Sequence, residues 1–171
     1  MLTLKRLLTF LSLFLTITLS TGCIAANLVI SDKLAVSYSK PNVIAHTQNS
    51  LILKYEDWWF SHEIVDGEGI YPGMDLTAYL PQFIRSIFDS KIRKSLSTEL
   101  SALSEEQAKV FGVTSGNVRR EKRGVAELMA IYDAKSSRGD IYVIEERMIQ
   151  HMEMFGSEDK FAELISNIKE R

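Results

Sequence analysis

The single cysteine divides the 171-residue chain into two unequal parts. Residues 1–22 carry two basic residues near the start, no acidic residue, and an apolar run of 13 residues from 7 to 19. At about 1.5 Å per helical residue this run spans roughly 20 Å, less than the ~30 Å hydrocarbon core of a bilayer. A charged start, a short apolar run and then small residues before Cys23 are typical of a secretory signal. The remaining residues must therefore build the folded domain.

The end of this segment resembles the lipobox of bacterial lipoproteins, in which small residues precede a cysteine that is lipidated and becomes the new N-terminus. Thr21 and Gly22 match the two small positions, whereas Ser20 stands where the family prefers Leu. The resemblance implies cleavage between Gly22 and Cys23, attachment of diacylglycerol and palmitate to Cys23, and a domain that faces the periplasm. Ile24 rather than Asp after the cysteine implies the outer membrane. A lone cysteine in an exported protein also has no internal disulfide partner.

Two other interpretations of the same segment stay open. Ordinary cleavage after Ala25 or Ala26 would release a soluble periplasmic protein. The stretch without charges from Leu7 to Ser31 is long enough for an uncleaved anchor, although polar residues dilute its second half. Under the lipoprotein interpretation, residues 1–22 are the signal peptide, residues 23–32 are the lipidated cysteine with a short tether, and residues 33–171 form one domain.

The charge of the exported part argues against nucleic acid as a partner. Without residues 1–22 the chain has 18 basic and 22 acidic residues, a net charge of −4. Nucleic-acid binding depends on Lys and Arg that neutralise phosphates, so this balance disfavours it. One basic cluster is a candidate contact for anionic lipid headgroups, with a solvated charge run as the alternative. Its members are Arg119, Arg120, Lys122 and Arg123.

Apolar periodicity predicts strands first and helices after them. Alternation predicts strands at residues 33–39, 42–47 and 51–60, followed by a polar loop at 61–73. From Leu76 to Leu96 apolar residues recur at steps of three and four, which predicts an amphipathic helix. Pro81 either kinks this helix or lies in its first turn. A second helix is predicted to begin at a capping box of Ser104 and Gln107 and to end at Gly112.

The C-terminal third carries the strongest hairpin signal. Residues 124–134 and 140–155 flank a turn at 136–139, and a last helix is predicted after Ser157. This order predicts an α+β fold, in which an antiparallel sheet packs with helices in a sandwich. The ending MAIYDAKSSRGDIYVIEERMIQHMEMF, then GSEDKFAELISNIKER, resembles the Mog1/PsbP-like fold of DcrB-type periplasmic lipoproteins. That resemblance implies a fold and transfers no function.

The three histidines give little support for catalysis or metal binding. His62 lies in an acidic stretch without calcium-loop or zinc spacing, and His46 and His151 lie in predicted strands. No nucleophile motif and no phosphate-binding loop is present in the sequence. We therefore predict no catalytic residue, no metal and no cofactor. A hydrolase remains an alternative, and it requires His62 or His151 to be hydrogen-bonded to a Ser hydroxyl and a carboxylate.

Aromatic residues supply the candidate partner-binding site. Trp58, Trp59 and Tyr71 are predicted to contact a partner, because aromatic side chains concentrate binding energy. Packing in the core is the alternative. The sequence thus predicts a non-enzymatic, membrane-anchored lipoprotein that contacts another envelope protein, as an accessory or immunity-type factor. A small-ligand or lipid-binding module, with a pocket between sheet and helices, is the alternative function.

Overall fold

The computed structural model describes residues 26–71, 73–114, 116–146 and 148–171. The predicted signal segment, the predicted cleavage site at Gly22 and the predicted lipidation site at Cys23 lie outside these residues. Within them, ten strands form two antiparallel sheets and four helices pack against them, which confirms the predicted α+β class. No helix in these ranges is both long and apolar enough to cross a bilayer.

The elements follow one another along the chain in three groups. The first strands are β1 (Ala26–Val29), β2 (Leu34–Tyr38), β3 (Val43–His46), β4 (Ser50–Lys54) and β5 (Trp59–Ile64). The helices that come next are α1 (Leu80–Phe88), α2 (Ser90–Arg93) and α3 (Thr98–Val110). The last group is β6 (Val118–Arg123), β7 (Ala126–Asp133), β8 (Arg138–Ile144), β9 (Ile149–Phe155), α4 (Glu158–Ser166) and β10 (Ile168–Glu170).

The larger sheet has the strand order β3-β4-β5-β9-β8-β7-β6, and the smaller has the order β1-β2-β10. β1 pairs with β2 from Ala26 opposite Tyr38 to Val29 opposite Ala35. Residues 26–32, which the sequence assigned to a tether, therefore begin the fold. The predicted tether of residues 23–32 is too long, because Ala26–Val29 within it pair with β2.

One face of the large sheet packs against the small sheet and α4. Alternate residues of the central strands, Ile141 and Met152 among them, form this core with Phe161 of α4. Gly139 lets α4 approach closely, since a Cβ at that position would lie 2.4 Å from the Phe161 ring. The predicted N-cap of this helix is confirmed, because the Ser157 hydroxyl accepts from the Lys160 N–H.

The opposite face of the large sheet packs against α1 and α3. Its core joins Phe83 and Ile87 of α1 to Met129 and Tyr142 of the sheet. α1 begins at Leu80 with Pro81 in its first turn, where the missing N–H leaves no intrahelical bond unmade. The proline therefore starts the helix and does not kink it.

Two predicted boundaries are wrong for identifiable reasons. Residues 51–60, predicted as one strand, are two strands, because the chain turns where the Tyr55 N–H donates to the Trp58 carbonyl. The aromatic residues of this turn continue the apolar pattern of the strand, so periodicity does not indicate the turn. The first four residues of the predicted loop, 61–64, continue β5.

The second predicted helix begins seven residues earlier than expected. Ser97 caps α3, and its hydroxyl accepts from the Leu100 N–H. Ser104, which resembles a cap in sequence, is buried at mid-helix, where its hydroxyl lies 2.7 Å from that of Ser86. The predicted end of the helix is confirmed, because Gly112 has a φ of +66° just after the last turn.

Candidate functional site

A cleft of about 420 Å³ opens on the helix-covered face of the large sheet. It lies where β5 and β9 meet the segment 65–71 and the ends of α1 and α3. Small-molecule sites commonly occupy roughly 300–1,000 Å³, so this cleft has the size of a ligand site. The wall side chains with hydrogen-bonding or charged groups include Glu63, Tyr71, Gln107, Arg138, Tyr142 and His151.

Strand register places a histidine between two carboxylates in this wall. β5 and β9 pair with Glu63 opposite His151, and β8 brings Asp140 beside the same ring. His151 Nδ1 lies 3.0 Å from Glu63 Oε1, and His151 Nε2 lies 3.0 Å from Asp140 Oδ1. Because ionised carboxylates only accept hydrogen bonds, both ring nitrogens must donate, which is the pattern of an imidazolium.

The pKa shifts agree with this protonation state. Burial alone would lower the pKa of His151, but the hydrogen bonds to Asp140 and Glu63 outweigh it and raise the pKa above its ordinary value. The hydrogen bond from His151 in turn lowers the pKa of Glu63. Both shifts favour the charged forms, an imidazolium at His151 and a carboxylate at Glu63.

Arg138 extends the network towards the surface. Its Nε and Nη2 atoms each lie 3.0 Å from an Asp140 oxygen, and Nε also lies 3.0 Å from Glu153 Oε1. The guanidinium carbon sits 5.5 Å from the centre of the Phe111 ring. The bidentate pair fixes the Asp140 carboxylate, and that carboxylate in turn orients His151.

Two tyrosines complete the wall. The Tyr142 ring stacks on His151, with centroids 4.4 Å apart and planes 17° apart. Tyr142 is 5 % exposed, and its hydroxyl has no hydrogen bond within the described residues. Burial raises the pKa of Tyr142 well above its ordinary value, so the phenol stays neutral. The Tyr71 hydroxyl donates to Gln107 Oε1 at 2.9 Å.

This arrangement suits binding better than proton transfer. Both nitrogens of His151 are engaged by carboxylates, so the ring offers no free lone pair to act as a base. His62 lies on the opposite face of the sheet, with Nε2 2.8 Å from Gln150 Oε1, and burial lowers its pKa. Across the described ranges neither ring is hydrogen-bonded to a serine, as the hydrolase alternative required. The same ranges hold no cluster of three or more residues placed to bind a metal ion.

The predicted aromatic patch is divided between two places. Trp58 stacks on Tyr55 at 4.3 Å, and Trp59 stacks on Phe155 at 5.0 Å, both at the start of β5. Tyr71 lies instead at the cleft, beyond the other end of that strand. The structure therefore does not bring the three predicted residues together on one surface.

The predicted basic cluster occupies the edge strand β6 and is largely paired within the protein. Arg119 contacts Glu158 at 3.1 Å, Arg120 contacts Asp89 at 3.0 Å, and Arg123 contacts Glu121 at 2.6 Å. Alternation along β6 also points Lys122, which is exposed, to the opposite side from Arg119 and Arg123. A contact with lipid headgroups stays a prediction, and much of the charge it needs is already neutralised.

Sequence reasoning missed the ionic network, although a signal for it exists. Arg138 and Asp140 are two residues apart on one strand, and His151 and Glu153 are two apart on its neighbour. Polar residues with a period of two on paired strands share a face. The sequence pattern could have found these four. It could not have placed Glu63 opposite them, because that pairing joins residues 88 positions apart.

No family model, no curated protein and no solved structure matches this chain.

Proposed function

We propose that this protein is a membrane-anchored lipoprotein of the bacterial envelope that binds a small polar ligand in the cleft without transforming it. The observation that carries this proposal is the ionic wall of the cleft, in which the largely buried His151 bridges the buried Asp140 and the half-exposed Glu63. Burying ions costs several kcal/mol each before their attraction offsets it, and apolar packing is often at least as stable. Stability alone therefore does not account for this wall, whereas binding a ligand on a fixed polar surface does.

The side chains of the wall are fixed hydrogen-bond donors and acceptors, and none of them is activated as a nucleophile or a general base. The phenols of Tyr71 and Tyr142 are kept neutral by burial, which raises the pKa of each. Arg138 and His151 are held in place by carboxylates. Fixed donors and acceptors of this kind orient a ligand at little cost in entropy, which is the main requirement of a binding site.

The proposed anchor would hold this cleft close to the bilayer. In the sequence only Ile24 and Ala25 separate Cys23 from Ala26, the first residue of β1. Three residue steps reach at most about 11 Å at roughly 3.6 Å each. A lipid on Cys23 would therefore keep the folded domain at the membrane surface, and the outer membrane facing the periplasm is the expected location.

A fragment screen on a matched pair of variants tests the cleft. Asn49 is an exposed turn residue on the wall, and its neighbour Gln48 is exposed but outside the cleft. In the full chain purified in detergent, we expect Asn49→Trp to weaken small polar ligands about tenfold or more, by roughly 1.4 kcal/mol. Gln48→Trp should leave their affinity unchanged. If no ligand distinguishes the two variants, the proposed function is wrong.

Contact with another envelope protein is a second candidate, and the edge strand β3 favours it. Val43 and Ile44 are 52 % and 60 % exposed, and Val43–His46 contains no Lys, Arg, Asp or Glu. At the other edge of the sheet, β6 is mostly charged, a common protection against strand addition. A free, uncharged edge is suited to pairing with an extended segment of a partner.

Site-specific crosslinking in cells tests this second candidate. A photoreactive amino acid at position 44 should give one crosslinked product with an envelope protein. The same residue at position 110, where Val110 is 68 % exposed at the end of α3, should give none. Identical products from both positions would remove β3 as the contact.

A further inference from the structure

We infer that the ligand of the cleft carries an ammonium group, as a small aliphatic amine does. This inference rests on the proposed function, and it names the chemical class that the cleft takes. The charge balance of the wall, the free capacity of one carboxylate and the unpartnered hydroxyl of a buried tyrosine support it.

The charge balance of the wall favours a cation. Two cations, Arg138 and His151, face three carboxylates, which belong to Glu63, Asp140 and Glu153. One negative charge is therefore left over within the network. Asp66 lies on the cleft wall as well and adds a second. In a partly desolvated cleft this excess attracts a cationic ligand and repels an anionic one.

Arg138 does not reverse this preference. Its guanidinium already contacts two carboxylates and lies over the Phe111 ring. An anionic ligand would have to compete with Asp140, which is only 2 % exposed and is held by two parallel hydrogen bonds. The positive charge of Arg138 is thus already neutralised by carboxylates of the protein.

Glu63 keeps capacity for a ligand donor. Its Oε1 faces His151 and its Oε2 accepts from the Ser50 hydroxyl at 3.1 Å. A carboxylate offers about four lone-pair positions, so about two remain. The Glu63 side chain is 40 % exposed on the cleft side, which leaves these positions accessible.

The Tyr142 hydroxyl points to a ligand donor independently of the charges in the wall. Tyr142 is nine-tenths buried, lines the cleft, and carries a hydroxyl without a hydrogen-bond partner in the described part of the chain. An ammonium group has three donors and no acceptor, so it can donate to this oxygen and to a carboxylate together. The half-buried Tyr71 ring on the same wall adds an electron-rich face, to which cations are attracted.

Three four-carbon molecules test the charge preference directly. Putrescine, 1,4-butanediol and succinate have similar length and carry cationic, neutral and anionic ends. By calorimetric titration of the full chain in detergent, we expect putrescine to bind about tenfold or more tightly than the diol. Succinate should show no binding.

A matched pair of variants locates the bound amine. Asp66 and Glu68 lie in the same exposed segment, but only Asp66 is on the cleft wall. Asp66→Asn should weaken putrescine about threefold or more, whereas Glu68→Gln, with the same change of charge, should not. Equal weakening by both would mean a diffuse charge effect and would overturn the inference.

The outcomes separate the ligand class from the proposed function. If the diol or succinate binds as tightly as putrescine, or if only fragments without an amine bind in a manner sensitive to Asn49→Trp, the ammonium inference is wrong and the cleft still binds ligands. If no molecule binds in that manner, both the ammonium inference and the proposed function are wrong.

Repeating the putrescine titration in phosphatidylcholine nanodiscs, with and without phosphatidylethanolamine, distinguishes a free amine from a lipid headgroup. Competition by the aminolipid identifies the headgroup as the source of the ammonium, and unchanged affinity identifies a free amine.

Discussion

Tyr142 lies flat against His151, with ring centroids 4.4 Å apart, and so covers one face of a ring whose two nitrogens contact carboxylates. With both nitrogens paired and one face stacked, the His151 side chain is 13 % exposed. Because a cation is attracted to an aromatic face, this arrangement stabilises the charged ring as well as burying it. The cleft wall is therefore a rigid, ionised surface formed by three neighbouring strands.

His151→Gln should destabilise the protein in a pH-dependent manner. The raised pKa of His151 in the folded state means that its contribution is fully present below the unfolded value, about 6.5, and is lost as pH rises through the folded pKa. Loss of one member of a buried ion pair costs about 3 kcal/mol. Urea unfolding at about pH 5.5 and about pH 9 should show a larger difference from the wild type at the lower pH. A difference that is the same at both would contradict the ion pair.

His62→Gln should show the opposite dependence. Burial lowers the pKa of His62, so the neutral ring is favoured in the folded state. Its contribution is therefore present above about 6.5 and is lost as pH falls towards the folded pKa. The same unfolding measurements should show a larger cost of His62→Gln at the higher pH. A cost that grew on acidification would show that His62 is charged in the fold.

Asp140→Asn should be among the most destabilising substitutions of a polar residue. Asp140 is 2 % exposed and serves both Arg138 and His151. Removing its charge leaves the largely buried His151 and the partly buried Arg138 with one acceptor fewer, at a cost of about 3 kcal/mol. The control is Glu127→Gln, which removes a half-exposed pair with Arg85 and should cost about 0–1 kcal/mol. Thermal unfolding that ranks the two equally would contradict the account of the network.

Tyr142→Phe should separate stability from binding. The hydroxyl of Tyr142 has no hydrogen-bond partner within the described residues, so its removal should change stability by about 0.5 kcal/mol or less. Ligand affinity should fall, because the oxygen faces the cleft. In Tyr71→Phe, a hydrogen bond to Gln107 is lost, and about 1 kcal/mol of stability should go with it. Unchanged affinity in Tyr142→Phe would remove the hydroxyl from the site.

Cys23→Ala should abolish lipid labelling and membrane retention. Each buried CH₂ of an attached acyl chain contributes about 0.8 kcal/mol, and no other residue in the lipobox-like segment accepts the lipid. Metabolic labelling with a palmitate analogue, followed by membrane fractionation, measures both effects. Labelling that persists in Cys23→Ala would refute the lipoprotein assignment.

The order of strands and helices could be predicted from sequence, whereas the assembled site could not. Pro81 fixes its own φ, Gly112 permits a positive φ and Ser157 caps the helix that follows it, so local rules predicted the helix ends near them. Periodicity does not predict the Tyr55–Trp58 turn, because its aromatic side chains continue the strand pattern. The cleft depends on β9 entering the sheet between β5 and β8, a long-range pairing that sequence periodicity does not encode.

Binding of a small polar molecule in the cleft is tested most directly by ¹H–¹⁵N spectra of the full chain recorded during a titration. With putrescine, or with another molecule found in the fragment screen, the amides of residues 63–71 and of His151 should shift together and saturate. The amides of β6 and α4 should stay in place. Spectra that no small molecule changes, or shifts confined to β6 and α4, would contradict the claim.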